Sequence, residues 1–161
     1  MRVQSVKSYA VIDTAPEKAF DIVFMSDHLS VFNNIGYVGA FFYVLPNIHF
    51  FRPGYQHRIY FEDGGNAVRK LNTYLPGISF SAMIYDFSSW RYRGLGCIDY
   101  FYFVSEDLEK KGYGIIEFEY RFQFRSTVWA FMFYIFGRRI VQKRMDTVLS
   151  IIVQDVSAAC L

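Results

Sequence analysis

Residues 127–156 read TVWAFMFYIFGRRIVQKRMDTVLSIIVQDV, roughly thirty positions with no proline and a single glycine. Nothing there breaks a helix, so the run predicts one helix about 45 Å long at the usual rise per residue. Just before it, Ile116, Phe118, Tyr120, Phe122 and Phe124 alternate with Glu117, Glu119, Arg121 and Gln123. That is the two-residue period of a strand with one apolar face. A face so aromatic has to be covered, and the helix follows it directly. A curved antiparallel sheet folded around the helix, often over a cavity, is the expected arrangement.

The helix divides in two. In its second half Val141, Met145, Val148, Ile152 and Val156 recur at spacings of three and four, a sheet-facing stripe that Gly137 continues one turn earlier. Glycine inside a helix costs about 1 kcal/mol relative to alanine. Its place on the stripe points to close approach of a strand or to room for a ligand. The first half, Val128 to Phe136, is apolar all round, more than one sheet can bury. Between Arg125 and Met145 stand Arg138, Arg139, Lys143 and Arg144, and no acid. Two readings stand here. One is docking on an anionic membrane, and the other is a solvated basic face whose apolar entry is buried by neighbours or by a second copy in a homodimer.

Upstream, Val3 to Thr14 reads as a first strand. Thr14-Ala15-Pro16-Glu17 starts a short helix to about Phe24, and Ser26-Asp27-His28 a second to about Phe32. Six strands follow: Tyr37 to Leu45, Tyr55 to Glu62, Ala67 to Leu75, Ile78 to Phe87, Cys97 to Val104 and Tyr113 to Phe124. Asp63-Gly64-Gly65-Asn66 and Pro76-Gly77 supply hairpin turns. The class is α+β, about seven antiparallel strands wrapped around a long C-terminal helix, with two short helices after the first strand. No linker or repeat divides residues 1–161, so one domain is expected.

Composition narrows the function. Of 161 residues 20% are aromatic, including 18 Phe and 13 Tyr, and 20% are charged. Tyrosine, apolar with a polar tip, suits the wall of a partly wet cavity. The net charge of +2 gives no sign of nucleic-acid binding. Cys97 and Cys160 have no zinc or redox spacing, and His28, His49 and His57 no metal-ligand spacing. No metal or cofactor is expected, and no nucleophile elbow, dinucleotide loop or Walker loop is present. The N-terminus lacks a signal-peptide h-region, and Val128 to Phe136 is too short to span a bilayer. A cytoplasmic protein is the expectation.

The order of elements resembles the helix-grip fold of the START and polyketide-cyclase-like superfamily (SRPBCC). Gly54-x-x-x-Arg58 followed by Tyr60-Phe61-Glu62-Asp63-Gly64 resembles its "G…R…DG" hairpin, and the strand Ile115 to Phe122 running into a terminal helix resembles its last strand. One departure is the pair Arg69 and Lys70, where many relatives carry an acid after the hairpin. The resemblance implies a deep apolar cavity between sheet and terminal helix that holds lipids, isoprenoids or polyketides. It covers carriers, receptors and a few enzymes, so it leaves function open.

The candidate ligand-contacting residues are Arg58, Tyr60, Phe80, Ile84, Asp99, Phe101, Phe118, Tyr120, Phe133, Gly137 and Val141. Two of them face alternatives. Ile59 and Phe61 share the parity that normally points inward, which leaves Arg58 outside. An inward Arg58 would anchor a ligand carboxylate. Asp99, alternating with Cys97, Phe101 and Phe103, is either a buried acid–base group or a strand-end acid paired with Arg91 or Arg93. The leading expectation is binding or transport of a hydrophobic small molecule. The alternatives are a polyketide cyclase, dehydratase or hydrolase-like enzyme, and a membrane-docking or interaction module.

Overall fold

A computed structural model of the chain describes residues 2–25, 42–43, 52–61, 63–109 and 112–159. The strands are β1 (Val3–Ile12), β2 (Phe42–Tyr43), β3 (Gln56–Phe61), β4 (Asn66–Leu75), β5 (Ser79–Tyr85), β6 (Leu95–Glu106) and β7 (Gly114–Phe124). They form one antiparallel sheet in the order β1-β7-β6-β5-β4-β3-β2, with β2 contributing only a two-residue ladder. Helix α1 (Pro16–Met25) follows β1. The second expected short helix, residues 26–32, and most of the expected strand Tyr37 to Leu45 lie outside the described residues.

The C-terminal helix is as long as its sequence requires but not uniform. It runs as α2 (Thr127–Met132), a π-helical turn (Phe133–Gly137) and α3 (Arg138–Ala159). Ser126, in extended conformation, caps it by accepting the Trp129 amide at 3.4 Å. The expected stripe Val141, Met145, Val148, Ile152 and Val156 is buried, with Leu149 beside it. Helix α3 lies against β1 and α1. Gln142 Nε2 donates to the Lys7 carbonyl at 2.8 Å, and Ser8 Oγ donates to Asp146 Oδ1 at 2.5 Å. These bonds fix the helix along the outer strand of the sheet.

Alternation decides which side chains enter the core. In β7 the even-numbered set from Ile116 to Phe124 is buried, and Glu117, Arg121 and Gln123 are exposed. Register carries that parity across the sheet: Phe118 opposes Tyr102, Tyr102 opposes Phe80, and Tyr120 opposes Tyr100. Rings Phe80, Tyr102 and Phe118 stack at centroid separations of 4.9 Å, within 4° of parallel. Phe24 of α1 closes the end of that row edge-on to Phe80 at 4.8 Å.

At the far end the β3–β4 turn is tied to the β5–β6 loop. Asp63 Oδ1 accepts the Gly65 amide at 3.0 Å, and the Ser89 hydroxyl donates to Asp63 Oδ2. The Asn66 amide donates to Ser88 Oγ, and the Ser88 amide to the Asn66 carbonyl, both at 2.8 Å. Gly64 sits at φ +80°, which glycine adopts freely. Gly65 is needed for a different reason: a Cβ there would lie 2.7 Å from the Ser89 Cα. Because that neighbour is backbone, Gly65→Ala is expected to cost about 1–3 kcal/mol by overpacking, read as a lower urea midpoint with an unchanged slope.

Candidate functional site

The face of the sheet turned toward the helices is a continuous aromatic surface. Its centre is Phe80, Tyr100, Tyr102, Phe118, Tyr120 and Phe122, all buried. Tyr100 stacks on Tyr120 at 5.5 Å, and Phe122 meets Phe133 of the helix at 4.7 Å. Tyr100, Tyr102 and Tyr120 have no solvent-accessible surface. The rings expected to line a cavity thus form one continuous layer, each stacked on its neighbour along the sheet.

Polar groups are threaded through these rings. The Tyr102 and Tyr120 hydroxyls lie 3.2 Å apart. Arg69 of β4, only 9% exposed, donates from Nε to the Tyr100 hydroxyl, and its guanidinium carbon is 5.5 Å from that ring's centroid. Arg69 opposes Ile84, and Ala82 opposes Tyr100. The small Ala82 side chain leaves the space through which Arg69 reaches across β5. A buried guanidinium is costly unless hydrogen-bonded, and the tyrosine supplies an acceptor. His57 opposes Arg69 in the β3–β4 ladder, on the same face.

Burial and neighbouring charge set the protonation of these groups. Burial, with a smaller contribution from the Arg69 cation, lowers His57 to about 4. Burial first, then the Tyr120 hydroxyl, pushes the Tyr102 phenol well above its usual value. Neither group exchanges protons near pH 7. Because the folded pKa of His57 lies below the unfolded value of about 6.5, the unfolded chain binds the extra proton first. Stability is expected to fall as pH drops from about 6.5 toward 4, by about 1–2 kcal/mol after allowance for partial exposure. Urea melts of wild type and His57→Gln at pH 7 and pH 5 measure this, and the difference between them should shrink at the lower pH.

Seven of the eleven sequence candidates border the interface of sheet and helix: Phe80, Ile84, Phe118 and Tyr120 on the inner face of the sheet, and Phe133, Gly137 and Val141 on the buried and half-buried stripe of the helix. Four do not, and their placement corrects the inward option. Arg58 and Tyr60 have the outward parity of β3, because Ile59 and Phe61 take the core. Arg58 Nη1 donates to Asn66 Oδ1 at 2.7 Å. Asp99 and Phe101 likewise face away, because Ile98, Tyr100 and Tyr102 fill the inner side of β6. Phe101 lies under the Arg121 guanidinium at 4.6 Å, and Asp99 accepts from Gln123 Nε2 at 3.0 Å. Half-burial raises the Asp99 carboxyl, an effect opposed by Gln123 and Arg121. Among the described residues it accepts from Gln123 of β7 and, at 4.0 Å, from the Cys97 thiol, while Arg91 approaches Asp63 at 4.0 Å. The same outer patch raises the Cys97 thiol to about 11, through burial and Asp99, which keeps it protonated at neutral pH.

Gly137 answers a close approach of another kind. Its missing Cβ would lie 2.6 Å from Phe133 Cδ2, so the glycine seats a ring of its own helix. That ring is held between Phe122 and Phe124, the latter at 5.2 Å. Gly137→Ala gains about 1 kcal/mol of helix propensity but displaces a half-buried ring from its contacts with Phe122 and Phe124, a cost of about 1–3 kcal/mol. Net destabilisation is expected, and Phe133→Leu, which vacates the ring edge, should make the alanine tolerable; thermal melts of both single variants and the double test this.

Arg69, Tyr100 and Tyr102 were not among the expected members of the inner face, whereas His57 shares the inward parity of Ile59 and Phe61. A signal existed: Ala67-Val68-Arg69-Lys70-Leu71 places Arg69 between two small or apolar residues of one parity. Among the described residues no group of histidine, cysteine and carboxylate side chains is arranged to hold a metal ion.

Known structures share this architecture. A protein of Thermus thermophilus superposes with a TM-score of 0.61 at 9% identity, covering 97% of this chain and 99% of its own. A START superfamily protein from Mycobacterium smegmatis gives 0.60 at 12% identity, covering 94% and 98%. The crystal structure of Ara h 8.0201 gives 0.51 at 14% identity, covering 92% and 99%. No family model matches the chain, and no curated protein matches its sequence. At these identities the likeness is one of fold, and the fold is the START-like helix-grip. Within it, this chain has a buried aromatic cluster between sheet and C-terminal helix.

Proposed function

We propose that the protein binds a hydrophobic small molecule between the sheet and the C-terminal helix, with Arg69 and Tyr100 holding its polar end. The observation that carries this reading is a guanidinium 9% exposed amid aromatic rings, on the face that the helix covers. Apolar walls with one or two convergent polar groups are what small-molecule sites use for affinity and orientation. A cationic anchor favours an amphiphile with an anionic or strongly hydrogen-bond-accepting end, such as a lipidic or polyketide-like carboxylate. The rings of adjacent strands stack along the sheet face and offer a ligand a broad apolar wall.

A carrier is favoured over an acid–base enzyme. The carboxylate first considered for catalysis, Asp99, lies on the opposite face of the sheet, and the inner Tyr102 and His57 are held in their neutral forms by burial. General acid–base catalysis works best with a pKa near the working pH.

Extraction of the native protein followed by mass spectrometry identifies any copurified amphiphile. Titration with a long-chain fatty acid and the matching alcohol then tests the anchor. Wild type is expected to prefer the carboxylate by about tenfold or more, the worth of a charge-assisted hydrogen bond, and Arg69→Met to lose that preference while still binding the alcohol. A wild type that copurifies with no amphiphile and takes up neither compound sinks the reading.

A further inference from the structure

The first half of the C-terminal helix exposes more apolar surface than the fold uses. Ala130, Phe133, Gly137, Val141 and Met145, at spacings of three and four, form the buried and half-buried stripe. Around the rest of the helix Val128, Trp129, Phe131, Tyr134, Ile135 and Phe136 are 44–71% exposed. At about 200 Å² per large side chain this leaves on the order of 700 Å² in water, above the roughly 300–600 Å² of the largest patch on an ordinary monomer.

A second element extends the patch. Trp129 packs on Gly94 of the β5–β6 loop so closely that a Cβ there would lie 2.5 Å from Trp129 Cδ2. The same loop presents Trp90, 72% exposed, with the Arg91 guanidinium 5.7 Å from its ring centroid. The chain's other tryptophan thus lies on the loop that Trp129 packs against, four residues before Gly94. Tryptophan, with an apolar body and a polar N–H, is the side chain enriched where hydrocarbon meets headgroups.

Charge selects the partner. Arg93, Arg125, Arg138 and Arg139 are exposed around the patch, and no acidic residue occurs between positions 120 and 145 or between 87 and 98. Directly after the apolar turns, a groove of about 540 Å³ is lined, among the described residues, by Arg139, Ile140, Lys143, Arg144 and Thr147. Two-fold pairing of this face with a second copy sets these basic clusters in one interface, whereas an anionic surface neutralises them.

We infer that this surface docks the protein on an anionic lipid bilayer. The aromatic and aliphatic side chains of the first half enter the boundary between headgroups and acyl chains, and the basic groove takes lipid phosphates. No described helix is long and apolar enough to cross a membrane, and the proposed contact is with the membrane surface. It stands whether or not a ligand occupies the aromatic face.

Cosedimentation with vesicles of phosphatidylcholine alone, and of phosphatidylcholine mixed with phosphatidylglycerol, tests this. Binding to the mixed vesicles is expected to be at least about tenfold stronger and to weaken with added salt. It should come with a blue shift of emission, since Trp129 reports on the contact. Arg138→Glu with Arg139→Glu, and separately Ile135→Ser with Phe136→Ser, each alter exposed side chains and should lower that binding at least about tenfold with unchanged circular dichroism. Salt dependence of the wild type reads the charge contribution even if a variant fails to fold. Equal binding to both vesicles, or none, overturns the inference. So does a lipid-free dimer that Ile135→Ser with Phe136→Ser dissociates, which would make this face a contact between copies.

Discussion

The row Phe80–Tyr102–Phe118 is the constraint on which the rest of this molecule depends. Three rings from three adjacent strands stack at 4.9 Å, the spacing of the strands themselves. Sliding any one strand by a residue would turn its ring to the opposite face and break the row. The stack therefore fixes the register of β5, β6 and β7 together. That register in turn sets Tyr120 against Tyr100, leaves Ala82 as the gap through which Arg69 reaches, and presents Phe122 and Phe124 to Phe133 of the helix.

The helix is fitted to this surface by a local change of pitch. A π-helical turn at Phe133–Gly137 separates the mostly exposed first turns from the amphipathic remainder. Such turns recur at functional sites, and here it coincides with the ring of Phe133 lying over Gly137. The two halves then meet different environments. One is locked to the sheet, and the other stands outward with its aromatic side chains in water.

Much of this was legible in the chain. The absence of breakers from Thr127 to Val156 gave the long helix, and the alternation of β7 gave its buried face, because both depend on local periodicity. The site was less legible, for a physical reason. In β6 both parities carry rings, Phe101 and Phe103 on one side and Tyr100 and Tyr102 on the other. Only pairing with β7 decides which set is inside, and pairing is not a local property. In β3 the alternation Ile59/Phe61 spoke for an outward Arg58, and the structure follows it. Arg69 was hidden by its own chemistry: a cation is normally read as surface, and its burial depends on Tyr100, 31 residues away.

One feature of the helix contact reaches beyond the core. Among the described residues, strand β1 ends the sheet, and the side of it turned away from β7 offers the unpaired backbone groups of any outermost strand. Gln142 from α3 occupies one of these, the Lys7 carbonyl, while Ser8 is engaged by Asp146 one helical turn on. The helix that covers the aromatic face thereby also shields the sheet's outermost strand. A motion that lifted it away would break both of these bonds and uncover rings and a pairing-competent edge together.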